Sequence, residues 1–172
     1  MKKFIALALL LFIIATGAFA MEKTVGLGAM YNHYFMGGDG WENTRTGFGV
    51  FGFFGFSQYI EANLGLSFTS LAEGNTDTDL VWQLGLYFKY PFVISDSLVF
   101  FPTVGADFQY GVDWSIQYLW PRAGVGLDIF FTDKMFLRSH LIYGAGIIVI
   151  GEHSNLDYYH GLLVKVGLGW MF

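Results

Sequence analysis

An alternation of apolar and polar residues with a period of two runs through most of the chain and is clearest at its end. From His160 to Phe172 every second residue is mostly large and apolar, whereas the residues between them are mostly glycine and include Lys165. Successive side chains of a strand point to opposite faces, so this period predicts a β-strand with two unlike faces. A lysine opposite lipid-like side chains fits a strand between hydrocarbon and a polar lumen.

Eight segments with this alternation can be placed along the chain, joined in turn by short turns and longer loops. The predicted strands are 24–36, 46–56, 59–69, 80–90, 98–110, 118–131, 135–149 and 158–172. This order predicts an all-β fold, a transmembrane antiparallel up-and-down barrel of eight strands whose lumen is just wide enough for side chains. Pro91 is expected to begin a turn, and Pro102, which lacks a backbone donor, is expected to cause a bulge or local kink.

The first 20 residues read as a secretory signal peptide that is cleaved from the mature chain. Lys2 and Lys3 give it a positive start, residues 4–14 are apolar, and Ala18 and Ala20 form a small-x-small cleavage site. A transmembrane anchor fits less well, because the apolar run is short and the small-residue site follows at once. Export of a Sec type is therefore expected, with residues 21–172 forming one domain.

Composition narrows the class of protein. Hydrophobic residues make up 54% of the chain and charged residues only 13%, yet charges interrupt every later apolar run before it reaches the roughly 18 residues of a membrane helix. The absence of cysteine excludes disulfides and a lipoprotein anchor. The formal charge of −5, which becomes −7 without Lys2 and Lys3, gives no reason to expect nucleic-acid binding.

The last strand ends on phenylalanine after apolar residues at alternate positions, and this pattern resembles the bacterial outer-membrane β-barrel family. The residues that carry the pattern are Val164, Val166, Leu168, Trp170 and Phe172. In that family such a segment is read by the barrel assembly machinery. The whole mature chain is similar to the small OmpA-barrel, OmpX and OmpW types. The resemblance implies a monomer in the outer membrane of a Gram-negative-type envelope, surrounded by lipid and lipopolysaccharide.

Charged residues fall on the inward faces of the predicted strands. They are Glu61, Lys89, Asp107, Arg122, Asp128, Arg138 and Lys165, with His140 beside them. Counting residues from the turns predicts the ion pairs Asp128–Arg138, Glu61–Lys89 and Asp107–Arg122 and leaves Lys165 and His140 near mid-height. Charges in a narrow lumen are costly unless they are paired, so the main interpretation is a salt-bridge plug. A polar path for a small solute or ion is the alternative.

Apolar residues also fall on the inward faces, and they favour a blocked interior or a hydrophobic pocket open at the loop end. They are Phe51, Phe53, Phe101, Ile142 and Leu163. On the outside, aromatic residues predict two girdles. Tyr90, Trp170 and Phe172 belong to the turn end, and Trp82, Tyr110 and Tyr158 to the loop end.

The predicted external loops are acidic. They hold Asp39, Glu42, Glu73, Asp77, Asp79, Asp113, Glu152 and Asp157, opposed by Arg45. A solvated rim is the ordinary meaning of such charge, and the alternative is divalent-cation binding shared with lipopolysaccharide phosphates. No ligand spacing resembles a calcium loop, so no metal is predicted.

Two sets of residues could carry chemistry. His33 and His160 are expected outside at neighbouring strand ends, mainly as interfacial residues near lipid headgroups, with a metal pair or a catalytic site as the alternative. Glu152, His153 and Ser154 supply an acid, a base and a hydroxyl, and some lipid A acylases and deacylases are eight-stranded barrels. Three consecutive loop residues orient one another poorly, so no enzyme and no cofactor are predicted.

The sequence therefore predicts a non-enzymatic integral outer-membrane protein whose loops serve surface interaction, such as adhesion, or envelope stabilisation. The alternative is a narrow channel for small hydrophobic or ionic solutes, as the OmpW resemblance would imply. A lipid-modifying enzyme is the remote third hypothesis.

Overall fold

A computed structural model describes residues 23–36, 44–70, 78–112, 117–150 and 159–172. The predicted signal peptide over residues 1–20 lies outside these ranges. So do the segments 37–43, 71–77, 113–116 and 151–158, which hold most of the predicted loop residues.

The described residues form one closed antiparallel sheet. Its strands are β1 (Thr24–Met36), β2 (Thr44–Gly55), β3 (Ile60–Ser70), β4 (Thr78–Lys89), β5 (Phe92–Ser95), β6 (Leu98–Gly111), β7 (Gln117–Phe130), β8 (Met135–Ile150) and β9 (Tyr159–Met171). Consecutive strands pair with each other except β4 and β5, which both pair with β6, and β1 pairs with β9, so the sheet closes on itself. The short β5 continues β4 along β6, which makes an eight-strand barrel and confirms the predicted fold.

No helix in the described ranges is long and apolar enough to cross a membrane.

The alternation of faces predicted from the sequence is present in the barrel. Leu27 and Phe48 point outward with 68% and 66% of their surface exposed. Phe51 and Phe53, on the opposite face of β2, are only 2% and 3% exposed. The period of two therefore separates an apolar exterior from a filled interior along the barrel wall.

The predicted turn at Pro91 was wrong. The chain continues past this proline as β5, with Phe92 opposite Phe100, and turns at residues 96–97. Aromatic and β-branched residues favour extended backbone, so Phe92 and Val93 pair with β6 and lengthen the hairpin, and the register shifts after Val93. The added hairpin extends the wall at the turn end of the barrel.

The predicted bulge at Pro102 was also wrong, because the register of β6 on β7 runs without a break through Pro102 and Val125. The Pro102 carbonyl accepts a hydrogen bond from the Tyr90 N–H at 3.1 Å. In an antiparallel strand the N–H and C=O of one residue point to the same neighbouring strand. The position where Pro102 lacks an N–H therefore faces Tyr90, in the break between β4 and β5, and not β7. The β6–β7 register is therefore unbroken at Pro102.

Glycines on the inner face make room for the large side chains that fill the lumen. A Cβ at Gly126 would contact the Phe101 ring and would lie 2.8 Å from His140 Cδ2. Both neighbours are buried, so neither can move into open space. The small residue at this position is therefore a packing requirement of the lumen.

We expect Gly126→Ala to lower the free energy of unfolding by about 1–3 kcal/mol, because overpacking shifts neighbouring rings from their preferred positions. The measurement is urea unfolding of the protein refolded in lipid vesicles. Gly52→Ala is the matched control, since a Cβ there meets no atom closer than 3.7 Å. Equal loss of stability in both variants would contradict this account of the lumen.

Candidate functional site

The lower lumen holds four buried charges, which we call the turn-end quartet: Glu61, Lys89, Asp128 and Arg138. Lys89 Nζ lies 2.9 Å from Glu61 Oε2. Arg138 donates from Nε to Asp128 Oδ1 at 2.7 Å and from Nη2 to Asp128 Oδ2 at 2.5 Å. Such bidentate pairing is the geometry in which arginine and carboxylate interact most strongly.

Arg138 joins the two predicted pairs into one network, because its Nη1 also contacts Glu61 Oε2. The sequence predicted Asp128–Arg138 and Glu61–Lys89 as separate pairs within neighbouring strands. The contact between Arg138 and Glu61 spans the lumen from β8 to β3, so it depends on the radius and stagger of the closed barrel, which the chain order does not supply.

Aromatic rings surround the turn-end quartet. The Arg138 guanidinium carbon lies 4.7 Å from the Phe53 ring centroid, 4.8 Å from that of Phe136 and 5.4 Å from that of Phe101. Lys89 Nζ lies 5.2 Å from the Phe101 centroid. Ring faces attract cations, so the rings and the ion pairs together stabilise the two cations of the quartet.

A cavity of about 490 Å³ lies below the quartet at the turn end. Residues that line it include Lys89, Asp128, Arg138, Phe130 and Val93. Three of the four quartet residues line this cavity, which we call the vestibule.

The third predicted pair lies higher in the lumen. Arg122 Nε is 2.6 Å from Asp107 Oδ2, and both side chains are fully buried. The two groups are in ion-pair contact without the alignment of a hydrogen bond. The Arg122 guanidinium carbon also lies 4.8 Å from the Trp120 ring centroid.

Lys165 and His140 face each other in the β8–β9 register. Lys165 Nζ is 5.0 Å from the centroid of Tyr87 and 5.4 Å from that of Phe51. Among the described residues, neither the Lys165 ammonium nor the His140 ring nitrogens have a hydrogen-bond partner. The structure therefore leaves Lys165 and His140 at mid-height outside the three pairs.

A chain of polar side chains that the sequence reasoning missed crosses the upper lumen. Tyr34 donates to Gln109 Oε1 at 3.3 Å, and Gln109 Nε2 donates to Gln83 Oε1 at 3.1 Å. Gln83 and Gln109 lie directly opposite each other on β4 and β6. Their positions on the inner faces of neighbouring strands were the signal that could have paired them.

Two loop assignments need correction. Asp79 lies within β4 and is only 2% exposed, so it belongs to the lumen wall and not to a solvated rim. Arg45 lies within β2. The other acidic residues of the predicted loops, and Glu152, His153 and Ser154, lie outside the described residues.

The two histidines of the outer wall are separated by an aromatic ring. His33 Nδ1 is 2.9 Å from the Tyr31 hydroxyl, and His160 Nδ1 is 2.8 Å from that of Tyr143. Phe35 stacks on His160 with centroids 5.0 Å apart and meets His33 edge-on at 4.6 Å. This arrangement resembles an interfacial aromatic belt more than a metal pair, and no group of three or more metal-ligating residues occurs in the described ranges.

The girdle residues lie on the outer wall. Tyr90, Trp170 and Phe172 are exposed at the turn end, and Trp82 pairs with Tyr110 towards the loop end. Tyr158 lies outside the described residues.

No protein-family model matches the sequence, and no curated protein matches it significantly. Several solved structures are similar to this chain in fold. Neisserial surface protein A is 9% identical with a TM-score of 0.59, and the match covers 87% of this chain and 97% of that one. Ail of Yersinia pestis is 14% identical with a TM-score of 0.54 and coverage of 88% and 99%. The N-terminal barrel domain of Pseudomonas aeruginosa OprF is 14% identical with a TM-score of 0.51 and coverage of 87% and 97%. The chain therefore has the fold of small outer-membrane β-barrels.

The quartet allows a double-mutant test. Arg138→Met leaves the buried Asp128 carboxylate without its cation, and we expect a loss of about 3–5 kcal/mol in the free energy of unfolding. Arg138→Met combined with Asp128→Asn should lose less than the single Arg138 variant, because no uncompensated carboxylate remains at that position. Urea unfolding in lipid vesicles measures both. If the double variant were as unstable as the sum of the singles, the two residues would not be energetically coupled.

Proposed function

We propose that this chain is a non-enzymatic integral protein of the bacterial outer membrane, exported by residues 1–20 and inserted as a monomeric barrel. The observation that best supports this proposal is an apolar exterior around a lumen that contains paired charges. Leu27, Phe68 and Val104 are each more than half exposed, which would be costly against water but not against hydrocarbon. Closure of the sheet pairs the backbone polar groups along the wall, as a bilayer requires.

The lumen of the proposed protein is a structural plug. The plug is supported by the contacts of Glu61, Asp128 and Arg138 across the barrel and by the Phe53 ring that packs on Arg138. Paired charges hold facing strands in one arrangement, which suits a stabilising role. Outer-membrane lipid and lipopolysaccharide are the proposed surroundings of the exterior.

The acidic loop segments are the proposed site of surface interaction. One solved structure of Ail is a complex with the heparin analogue sucrose octasulfate. Carboxylates repel such a polyanion, so the loops of this chain favour a cationic partner, or divalent cations that bridge Asp and Glu side chains to lipid phosphates.

The final strand is the proposed signal for the barrel assembly machinery. Val166, Leu168 and Trp170 point outward and are exposed. The Phe172 N–H donates to the Lys23 carbonyl at 3.0 Å and its own carbonyl accepts from Lys23 at 3.1 Å, while its ring is 59% exposed. The last residue is thus fixed by its backbone and leaves its ring available for recognition.

A narrow channel is the second candidate, and it rests on two observations. The vestibule of about 490 Å³ leads into the lumen from the turn end, and the polar groups around Lys165 lie above the quartet. Small ions could follow this path only if the quartet rearranged.

Planar-bilayer conductance separates the two candidates. We expect the folded protein to give no steady channel, because paired charges and rings fill the lumen, whereas a general porin reconstituted in the same way gives steady steps. Insertion is checked by the heat-modifiable mobility of the protein in the same vesicles. Steady channels that disappear in Lys165→Ala would overturn the plug and support solute passage.

A further inference from the structure

The middle of the lumen carries one more positive charge than its carboxylates can neutralise. The turn-end quartet contains two carboxylates and two cations. At mid-height, Arg122 and Lys165 share a single carboxylate, that of Asp107. The other buried carboxylate, that of Asp79, lies further up β4. Gly85 pairs with Asp107, and Asp79 is six residues from Gly85, so Asp79 lies about 20 Å from the level of Asp107 along the strand. It cannot balance Lys165 across that distance.

The mid-lumen groups form one connected cluster across the barrel. Lys165 Nζ lies 5.0 Å from the Tyr87 centroid. At Gly85, the space that a Cβ would fill is bounded by the Tyr87 ring, 2.7 Å away, and by the Asp107 carboxylate. Asp107 in turn contacts Arg122. A path of touching groups therefore runs from β9 through β4 and β6 to β7.

Several buried polar atoms of this cluster have no hydrogen-bond partner among the residues that the structure describes. The donors are Lys165 Nζ, Arg122 Nη1 and Nη2, and Gln83 Nε2, and the acceptors are both carboxylate oxygens of Asp107. Arg122 contacts the Asp107 carboxylate, whereas the Lys165 ammonium has no carboxylate in contact. All four side chains are at most 3% exposed. A buried charge without a partner costs several kcal/mol, and ring faces such as Phe51 and Tyr87 offset only part of that cost.

We propose that a small monovalent inorganic anion, chloride in solution, binds at mid-lumen against the Lys165 ammonium. One negative charge balances the surplus, and a halide accepts hydrogen bonds from several directions, as an ammonium group requires. Ile142 and Leu163 are fully buried at this level and restrict the space. A multivalent anion would overcompensate the charge.

The experiment measures the thermal midpoint of the protein folded in zwitterionic detergent, with chloride replaced by gluconate at constant sodium. We expect the midpoint to fall by about 5 °C in gluconate, since a ligand that binds only the folded state raises its stability. Bromide should restore it. Lys165→Met should not respond to the anion and should be more stable than the wild type in gluconate, because it lacks the uncompensated cation.

Lys134→Met is the matched control, because Lys134 is exposed in the turn between β7 and β8 and its removal leaves the lumen unchanged. It should keep the full chloride response. Broadening of the chloride NMR line by the folded wild type, but not by folded Lys165→Met, gives a direct reading of binding.

Three results would overturn the proposal. A wild-type midpoint equal in chloride and gluconate would mean that the donors are met by water or that Lys165 is neutral. A chloride response retained in Lys165→Met would place the ion elsewhere. Failure of Lys165→Met to fold would also contradict it, because removal of a surplus buried cation should leave the barrel intact.

Discussion

Closure of the sheet is the constraint on which the rest of this structure depends. The β1–β9 and β4–β6 ladders join what would otherwise be strand edges, so the wall of the barrel pairs its own backbone. Eight strands leave a lumen that side chains alone can fill. Large side chains therefore occupy many inward positions, and glycines leave room for them, as Gly126 does for Phe101.

The charged lumen follows from that narrow space. A carboxylate removed from water is costly unless cations contact it. Glu61 contacts two cations, Lys89 of the neighbouring strand β4 and Arg138 of β8 across the lumen. Because the rings of Phe53 and Phe136 pack on the same guanidinium, electrostatics and packing hold one arrangement together. These contacts support the proposed plug, and among the described residues the mid-lumen cluster departs from charge balance.

Much of the fold could be predicted because a period of two is visible without tertiary information. The eight main strands agree with the sequence to within two residues at each end. The Asp128–Arg138 pair was predictable as well, since both residues lie at equal distances from one turn. The contact of Arg138 with Glu61 was not, because it depends on the rotation and stagger of the closed barrel. The β5 extension was missed because Pro91 was read as the turn, although the run after it favours a strand.

The functional conclusion depends on the exterior of the barrel, because exposed apolar side chains are unfavourable in water and favourable in hydrocarbon. The most direct measurement is the electrophoretic mobility of the folded protein in detergent, with and without boiling, together with its circular dichroism spectrum. A shift in mobility on boiling and a β-rich spectrum are the predicted results for a closed barrel in a micelle. A protein that stays soluble without detergent and shows no shift would mean that these apolar faces pack on each other, and the account of the lumen would be wrong.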